Sequence, residues 1–472
     1  MNGPFAAERG ADFSSSENVL ISKVVKVKNI DPLKFFLENR RFFPGRNFFW
    51  KEKDSDFFMA GFGAAKIIRF REKKDRFLEL KRYWEDICEK LIINNPYGPV
   101  RGTGPLLFGG FSFRPLKDGA LWGNFLDGFF YLPRYLLTKA DGETYLTVNG
   151  GEEEAVPEWV NRFSEEAEGS GLGEMFPDES GFGAGAYPAR GTELQPERWK
   201  EHVGKAISLL KEGYGEKVVL AREMKVACEG GIDAGMVLAN LFRSQTANYL
   251  FLLENGGEAF IGASPERLAR KDGERIFSEC VAGSAPRGKD PQEDERIGRE
   301  LLSDEKNLQE HRFVVEMITG AMARYCRDLR VPEQPVILNN PDIKHLYTPV
   351  AGILREDGAF FDVLRSLHPT PALGGTPRDA ALELIGRLEL FERGLYGAPI
   401  GWVDHRMDGE FAVGIRSALI RGNEARLFAG CGIVKDSEAE KEFAETRVKF
   451  RPMLRALCGK TWGDGGMFDE RE

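Results

Sequence analysis

Four short runs with strand character follow one another at 248–254, 258–262, 266–271 and 275–282. Glu254-Asn-Gly-Gly257 and Lys271-Asp-Gly-Glu274 are tight, glycine-containing hairpin turns between them. A hairpin makes its two strands antiparallel, whereas a parallel pair needs a long crossover. Helical patterns arrive in blocks instead of after every strand. The chain is therefore expected to be α+β, built on antiparallel sheets, and a doubly wound parallel sheet is excluded.

Further strands are expected at 19–28, 56–63, 104–113 and 129–138, with Lys139-Ala-Asp-Gly142 turning into a strand at 144–148. Phe77, Leu80, Trp84, Ile87, Cys88 and Leu91 recur at helical spacing and predict an amphipathic helix over 75–93. Pro196 opens another helix, with an apolar stripe of Trp199, Val203, Ala206 and Leu210 and a stop at Gly213. The 472 residues divide into a polar tail (1–18), an N-terminal lobe (19–163), a Gly/Ser/Glu/Pro-rich linker or surface excursion (164–196), a C-terminal region (197–459) and a second polar tail (460–472).

Lys+Arg number 65 against 74 Asp+Glu, a formal charge of −9 that offers no basic footprint for nucleic acid. No run is long and apolar enough to span a membrane, and the N-terminus has neither the basic nor the apolar region of an export signal. The six cysteines are scattered without a CxxC pair, so neither a zinc site nor a disulfide framework is expected. A reduced, cytoplasmic setting fits.

Polar groups that could do chemistry lie on two helices and two strands. A long helix is expected over 290–326, with Glu310 one turn before Val314 and so on the side that turns inward. A second helix is expected to start at Ser437, capped in partnership with Glu440, and it carries Glu442, Glu445 and Lys449 on one face. Gly430-Cys-Gly432 precedes that helix, and its small residues leave a ligand room near the positive helix end. Lys217 begins a strand beside Val219 and Ala221, and Glu266 follows a Ser-Pro turn. Taken singly, each is most often a solvated surface group.

In combination the segments resemble the chorismate-utilising enzymes, and among them the isochorismate synthases; DPLKFF (31–36), Arg46-Asn-Phe-Phe-Trp50 and FGGFSF (108–113) resemble the menaquinone branch, with supply of a catecholate siderophore, whose site chemistry is identical, as the alternative. The resemblance runs through KVVLAR (217–222), GASPERL (262–268), VAGSAPRG (281–288), LLSDEKNLQEH (301–311), LHPTPALGGTPR (367–378), GAPIGWVD (397–404), FAVGIRSALI (411–420) and FAGCGIVKDSEAEKEFAETRVK (428–449). It implies a sandwich of large antiparallel sheets with helices on the outer faces. It also implies addition of water to C2 of chorismate with loss of the C4 hydroxyl. Lys217 matches the general base and Glu266 the general acid. Glu310 and Glu445 match the Mg²⁺ ligands, with Glu442 in support through water. Arg416 and Lys449 match the carboxylate-binding cations, and Gly283, Ser284, Ala372 and Gly430 the pocket lining.

The implied chemistry is coherent. A lysine base must shed its charge, which burial and a nearby cation favour, and an acid must keep its proton, which an apolar pocket favours. A chain of charge −9 must attract a dianion locally, through Mg²⁺, Arg416 and Lys449. Anthranilate-type relatives, which take ammonia from a glutaminase subunit, carry Gln where Lys217 stands, so no such partner is expected. Salicylate synthases share the lysine, and His368-Pro-Thr-Pro-Ala372 speaks against them. A non-catalytic scaffold would lack at least one of Lys217, Glu266, Glu310 and Glu445. Arg393-Gly-Leu-Tyr-Gly397 departs from the commoner RGWYA and is expected to loosen packing near the pocket.

Overall fold

Glycine and aspartate do at the hairpins what the turn chemistry demands. Asp141 and Gly142 take φ of 53° and 78°, and Gly256 and Gly257 take 59° and 86°. Two successive left-handed residues let a two-residue turn follow the twist of its strands. The closing pairs are Ala140 with Glu143 and Asn255 with Glu258. The computed structural model describes residues 19–28, 30–71, 75–151, 189–339 and 343–459. The two tails and most of the 164–196 excursion lie outside these.

The two hairpins of the 248–282 region do not pair with each other. Glu258–Ser264 joins Ser417–Arg421, whereas Arg267–Asp272 joins Gly409–Val413. The chain thus forks at Pro265-Glu266, leaving one sheet for another. The first sheet runs from Leu91–Asn94 through Leu20–Val27, Glu143–Gly150, Gly128–Ala140, Phe58–Phe70 and Asn47–Lys51. It continues through Tyr249–Asn255, Glu258–Ser264, Ser417–Arg421 and Glu424–Ile433 to Lys217–Cys228. The second branches from Gly128–Ala140 through Leu106–Phe111, Pro399–Asp404, Gly409–Val413, Arg267–Asp272 and Arg275–Pro286 to Ile343–Leu354. Among the described pairings only Leu20–Val27 with Leu91–Asn94 is parallel. Strands from both sides of the 164–196 segment share hydrogen bonds.

Alternation along the strands sends large aromatics into the space between the sheets, where Phe48, Trp50, Phe108, Tyr131, Phe260, Trp402 and Phe428 form one core. Phe48 and Phe108 stack at 4.1 Å. Helices Pro32–Asn39, Ala234–Ser244 and Ala439–Cys458 cover the outer face of the first sheet with a second core. Arg76–Cys88, Glu305–Ala323, Phe360–Leu367 and Arg378–Leu388 supply a third on the other side. This is the expected sandwich with helices outside.

Local boundaries differ from expectation for identifiable reasons. The 75–93 helix stops at Cys88, and Leu91–Asn94 becomes an edge strand. The 290–326 segment is two helices, Pro291–Ser303 and Glu305–Ala323, because the Asp304 side chain turns back to cap the Asn307 N–H at 2.8 Å. The last helix begins at Ala439 and not at Ser437: the Ser437 hydroxyl accepts from the Val434 N–H at 3.1 Å, so it does not cap the helix. The end of the supposed linker, Ala189–Glu193, is a strand on the edge of Lys217–Cys228.

Trp402 is fully buried between the sheets. Replacing Trp402 with alanine is expected to cost about 3–5 kcal/mol in equilibrium chemical denaturation; a loss below about 1 kcal/mol would contradict this packing.

Candidate active site

The strand Lys217–Cys228 sits near one end of the first sheet, with Glu424–Ile433 on one side and the Gly374–Thr376 segment beside its first residues. Helices Glu305–Ala323 and Ala439–Cys458 flank the same end. Between them opens a cavity of about 770 Å³. Every site residue expected from the sequence lines it: Lys217, Glu266, Gly283, Ser284, Glu310, Ala372, Arg416, Gly430, Glu442, Glu445 and Lys449.

Opposite charges meet across its wall. Lys217 Nζ donates to Glu310 Oε1 at 2.5 Å, and Lys449 Nζ donates to Glu445 Oε1 at 2.6 Å and to the Gly430 carbonyl at 2.8 Å. Burial opposes the ionisation of Glu310, but the Lys217 ammonium overrides it and holds the carboxyl below its ordinary range. Lys449 does the same for Glu445. Glu442 behaves differently. Burial pushes it up, and its carboxyl bonds to the Ser437 hydroxyl and Cys431 thiol. Glu266, at the fork between the sheets, is 5% exposed, and burial with the nearby Glu279 carboxylate pushes it up to about 8.

The backbone is shaped to present these groups. Gly283, at φ 77°, lies at the register shift in the pairing of Arg275–Pro286 with Ile343–Leu354. Such a bulge re-aims the side chains next to it. The Ser284 N–H donates to Asn307 Oδ1 at 3.2 Å, and its hydroxyl meets His345 Nδ1 at 2.8 Å. Arg416 takes φ 50°, an uncommon conformation for a side chain of its size, and its charge reaches Glu266 and Glu445.

A buried ion pair braces the base of the cavity. Arg393 and Glu389 are each 1% exposed in their side chains. Arg393 donates to the Val219 and Leu373 carbonyls, both at 2.8 Å, while Glu389 accepts from the Ala221 N–H at 2.8 Å. One guanidinium thereby ties the Lys217 strand to the loop carrying Ala372.

Gly432 has a different use from the one expected. Gly430 and Gly432 lie within the strand Glu424–Ile433, several residues before the helix starts. A Cβ on Gly432 would stand 2.4 Å from Lys217 Cε. The missing side chain makes room for the lysine.

Carboxylate oxygens are hard donors suited to a hard divalent cation. Glu310 and Glu445 fit that requirement: they face one cavity, and each feels charge across it, since Glu445 opposes the ionisation of Glu310. Each is balanced by a lysine, and no group of three or more His, Cys, Asp or Glu among the described residues is gathered as a metal cluster.

Residues 7–458 match the family of chorismate binding enzymes. Over 451 residues the chain is 42% identical to the isochorismate synthase MenF of Bacillus subtilis, covering 94% of each. The chain belongs to the chorismate-binding enzyme family. It is 32% identical over 470 residues to the salicylate biosynthesis isochorismate synthase of Pseudomonas aeruginosa, covering 97% of this chain and 94% of the other. The solved structure of the menaquinone-specific isochorismate synthase MenF from Escherichia coli superposes with a TM-score of 0.73 at 25% identity, over 93% of this chain and 95% of that one. Within the family this chain is an isomerase of the isochorismate synthase kind.

Sequence reasoning missed His345 and the Arg393–Glu389 brace. His345 is a lone histidine in a strand, with nothing in its spacing to mark it, and burial with the charges of Arg416 and Lys449 pushes it down to about 3. Arg393 opens Arg393-Gly-Leu-Tyr-Gly397, but its reach to the Val219 carbonyl depends on the fold. The expected loosening at Leu395 and Gly397 is absent: Leu395 is 1% exposed in the inter-sheet core, and Gly397 takes φ 70°, where glycine is unstrained.

Alanine at Gly432 would displace a flexible side chain and not backbone. Gly432→Ala is therefore expected to melt within a few degrees of the parent while turnover falls about 10²-fold. Paired melting curves and initial rates check this, and parental turnover would contradict it.

Proposed function

We propose that this enzyme converts chorismate to isochorismate, with Mg²⁺ as its metal, in menaquinone biosynthesis. The observation that carries the reading is the meeting of Lys217, a buried and proton-retaining Glu266, and the Glu310 and Glu445 carboxylates on one cavity. Lys217, once released from Glu310 and with its ammonium proton given up to solvent, takes a proton from water as its oxygen bonds to C2. The two ring double bonds shift, the C4–O bond breaks, and Glu266 gives its proton to the departing hydroxyl, which leaves as water. General acid and base groups of this kind contribute about 10²–10⁴-fold each.

Arg416 and Lys449 bind the substrate carboxylates, and Gly283, Ser284, Ala372 and Gly430 shape the wall around the ring. Glu310 and Glu445 would hold the metal, with Glu442 supporting. Bound there, Mg²⁺ supplies positive charge that anchors a substrate carboxylate and offsets the two glutamates. Water is the nucleophile, so no glutaminase subunit enters the reading. A cytoplasmic setting belongs to it too, since the six cysteines are free thiols and five of them are buried.

Incubation with chorismate and Mg²⁺, resolved by chromatography, is expected to yield isochorismate without pyruvate or salicylate; pyruvate release would contradict the reaction. Lys217→Ala is expected to lose at least about 10²-fold in turnover while keeping its fold, and a fully active variant would remove the base. Glu445→Gln is expected to raise KM for chorismate as well as lower kcat; a change in neither would remove the metal site. Because Glu266 acts as an acid, turnover is expected to decline as the pH rises past its pKa of about 8. A pH–rate profile without an alkaline limb there contradicts the assignment.

A further inference from the structure

Behind Glu266, on the side away from the cavity, lies a set of buried charges that the proposed reaction does not use. Glu52, Glu279 and Glu410 are buried carboxylates. Arg267 donates to Glu279 Oε1 through Nη1 at 2.8 Å and to Glu410 Oε1 through Nε at 2.7 Å. Arg101 joins Glu52 and Glu410 at 2.6 and 2.5 Å. Lys53 Nζ donates to Glu279 Oε2 and, at 3.3 Å, to the carbonyl of Pro265.

The chain neighbours of Glu266 on both sides belong to this arrangement. Its neighbour on one side, Pro265, is held by the lysine that binds Glu279, and its neighbour on the other, Arg267, binds Glu279 directly. Glu279 is 2% exposed and lies outside the cavity lining. A carboxylate so far from water persists as an anion only with close partners, which Lys53 and Arg267 provide. A fixed anion beside a second carboxyl disfavours ionisation of that second group.

We propose that Glu279 is a positioning residue for the acid: its buried anion, fixed by Lys53 and Arg267 on either flank of Glu266, holds the Glu266 carboxyl in the protonated form that the departing hydroxyl requires. The inference rests on the reading of Glu266 as the general acid. After burial, Glu279 is the largest contributor to the rise of Glu266 to about 8. Lys53, Arg416 and Lys217 also face Glu266 and act in the opposite sense. Tyr347 bonds to Glu279 from the neighbouring strand, and the Cys280 thiol, pushed up chiefly by burial, faces both carboxyls.

The test uses two variants with opposite expected signs. The Glu266 carboxyl is followed by isotope-edited NMR of glutamate carboxyl carbons in the full chain, and identified by its loss in Glu266→Gln. In Glu279→Gln it is expected to titrate about one pH unit lower, and the alkaline limb of chorismate turnover to move down with it. In Lys53→Met both are expected to move up, because a cation facing Glu266 is removed while Arg267 and Tyr347 still hold the Glu279 anion. General loosening of the site would move both variants the same way, so movement in one direction overturns the role, as does an unchanged titration in folded Glu279→Gln. A titration that moves while the activity limb stays overturns the reading of Glu266 as the acid. Should Glu279→Gln fail to fold, it is made in the Lys53→Met background, which leaves no lysine unpaired: a Glu266 titration below that of Lys53→Met supports the role, and one equal to it or above it overturns it.

Discussion

Two lysine–glutamate pairs, Lys217 with Glu310 and Lys449 with Glu445, set the character of the cavity. Each carboxylate is kept ionised by its partner against the cost of partial burial, and each ammonium is held where a substrate would meet it. Such a wall carries balanced charge that can be redistributed. A cation drawn to the two carboxylates would leave both amines to other work, one toward water and one toward an anionic substrate. A protein of net charge −9 has no long-range attraction for a dianion, so under the proposed function this local rearrangement would have to supply it.

The sandwich makes that wall possible by bringing together parts of the chain that are far apart. Lys217 and Glu310 are on a strand and a helix 93 residues apart, and Glu266 lies where the chain passes from one sheet to the other. Space and alignment are provided by small local devices. Gly432 leaves room for the lysine stem, the bulge at Gly283 turns Ser284 toward His345, and Arg393 ties the Lys217 strand to the Ala372 loop. None of these groups reacts. Together they fix where the reacting groups sit.

Much of this was legible in the sequence, and the parts that were not share a cause. Hairpin turns declare themselves through residues such as Asp141-Gly142 and Gly256-Gly257, because left-handed φ is a strictly local demand. Antiparallel pairing and the α+β class followed from them. The family motifs carried Lys217, Glu266, Glu310, Glu445 and the residues that line the cavity around them. What escaped was decided by tertiary contact. Asp304 splits a continuous helical pattern by capping the second half, and Ser437 spends its hydroxyl on the Val434 N–H. Leu91 fits the helical period of the preceding segment but pairs beside Leu20 as a strand. The charges around Glu279 gave no signal at all, since Glu52, Arg101, Arg267 and Glu410 meet only after folding.

Under the proposed function, Glu310 and Glu445 would together hold one divalent ion, leaving Lys217 to work on water. A crystal structure of the protein grown with Mg²⁺ and isochorismate tests it most directly. The expected result is electron density for one metal beside Glu310 and Glu445, with the Lys217 amine withdrawn from Glu310 and turned toward C2 of the product. A metal bound elsewhere, or Lys217 still paired with Glu310 beside bound product, would contradict it.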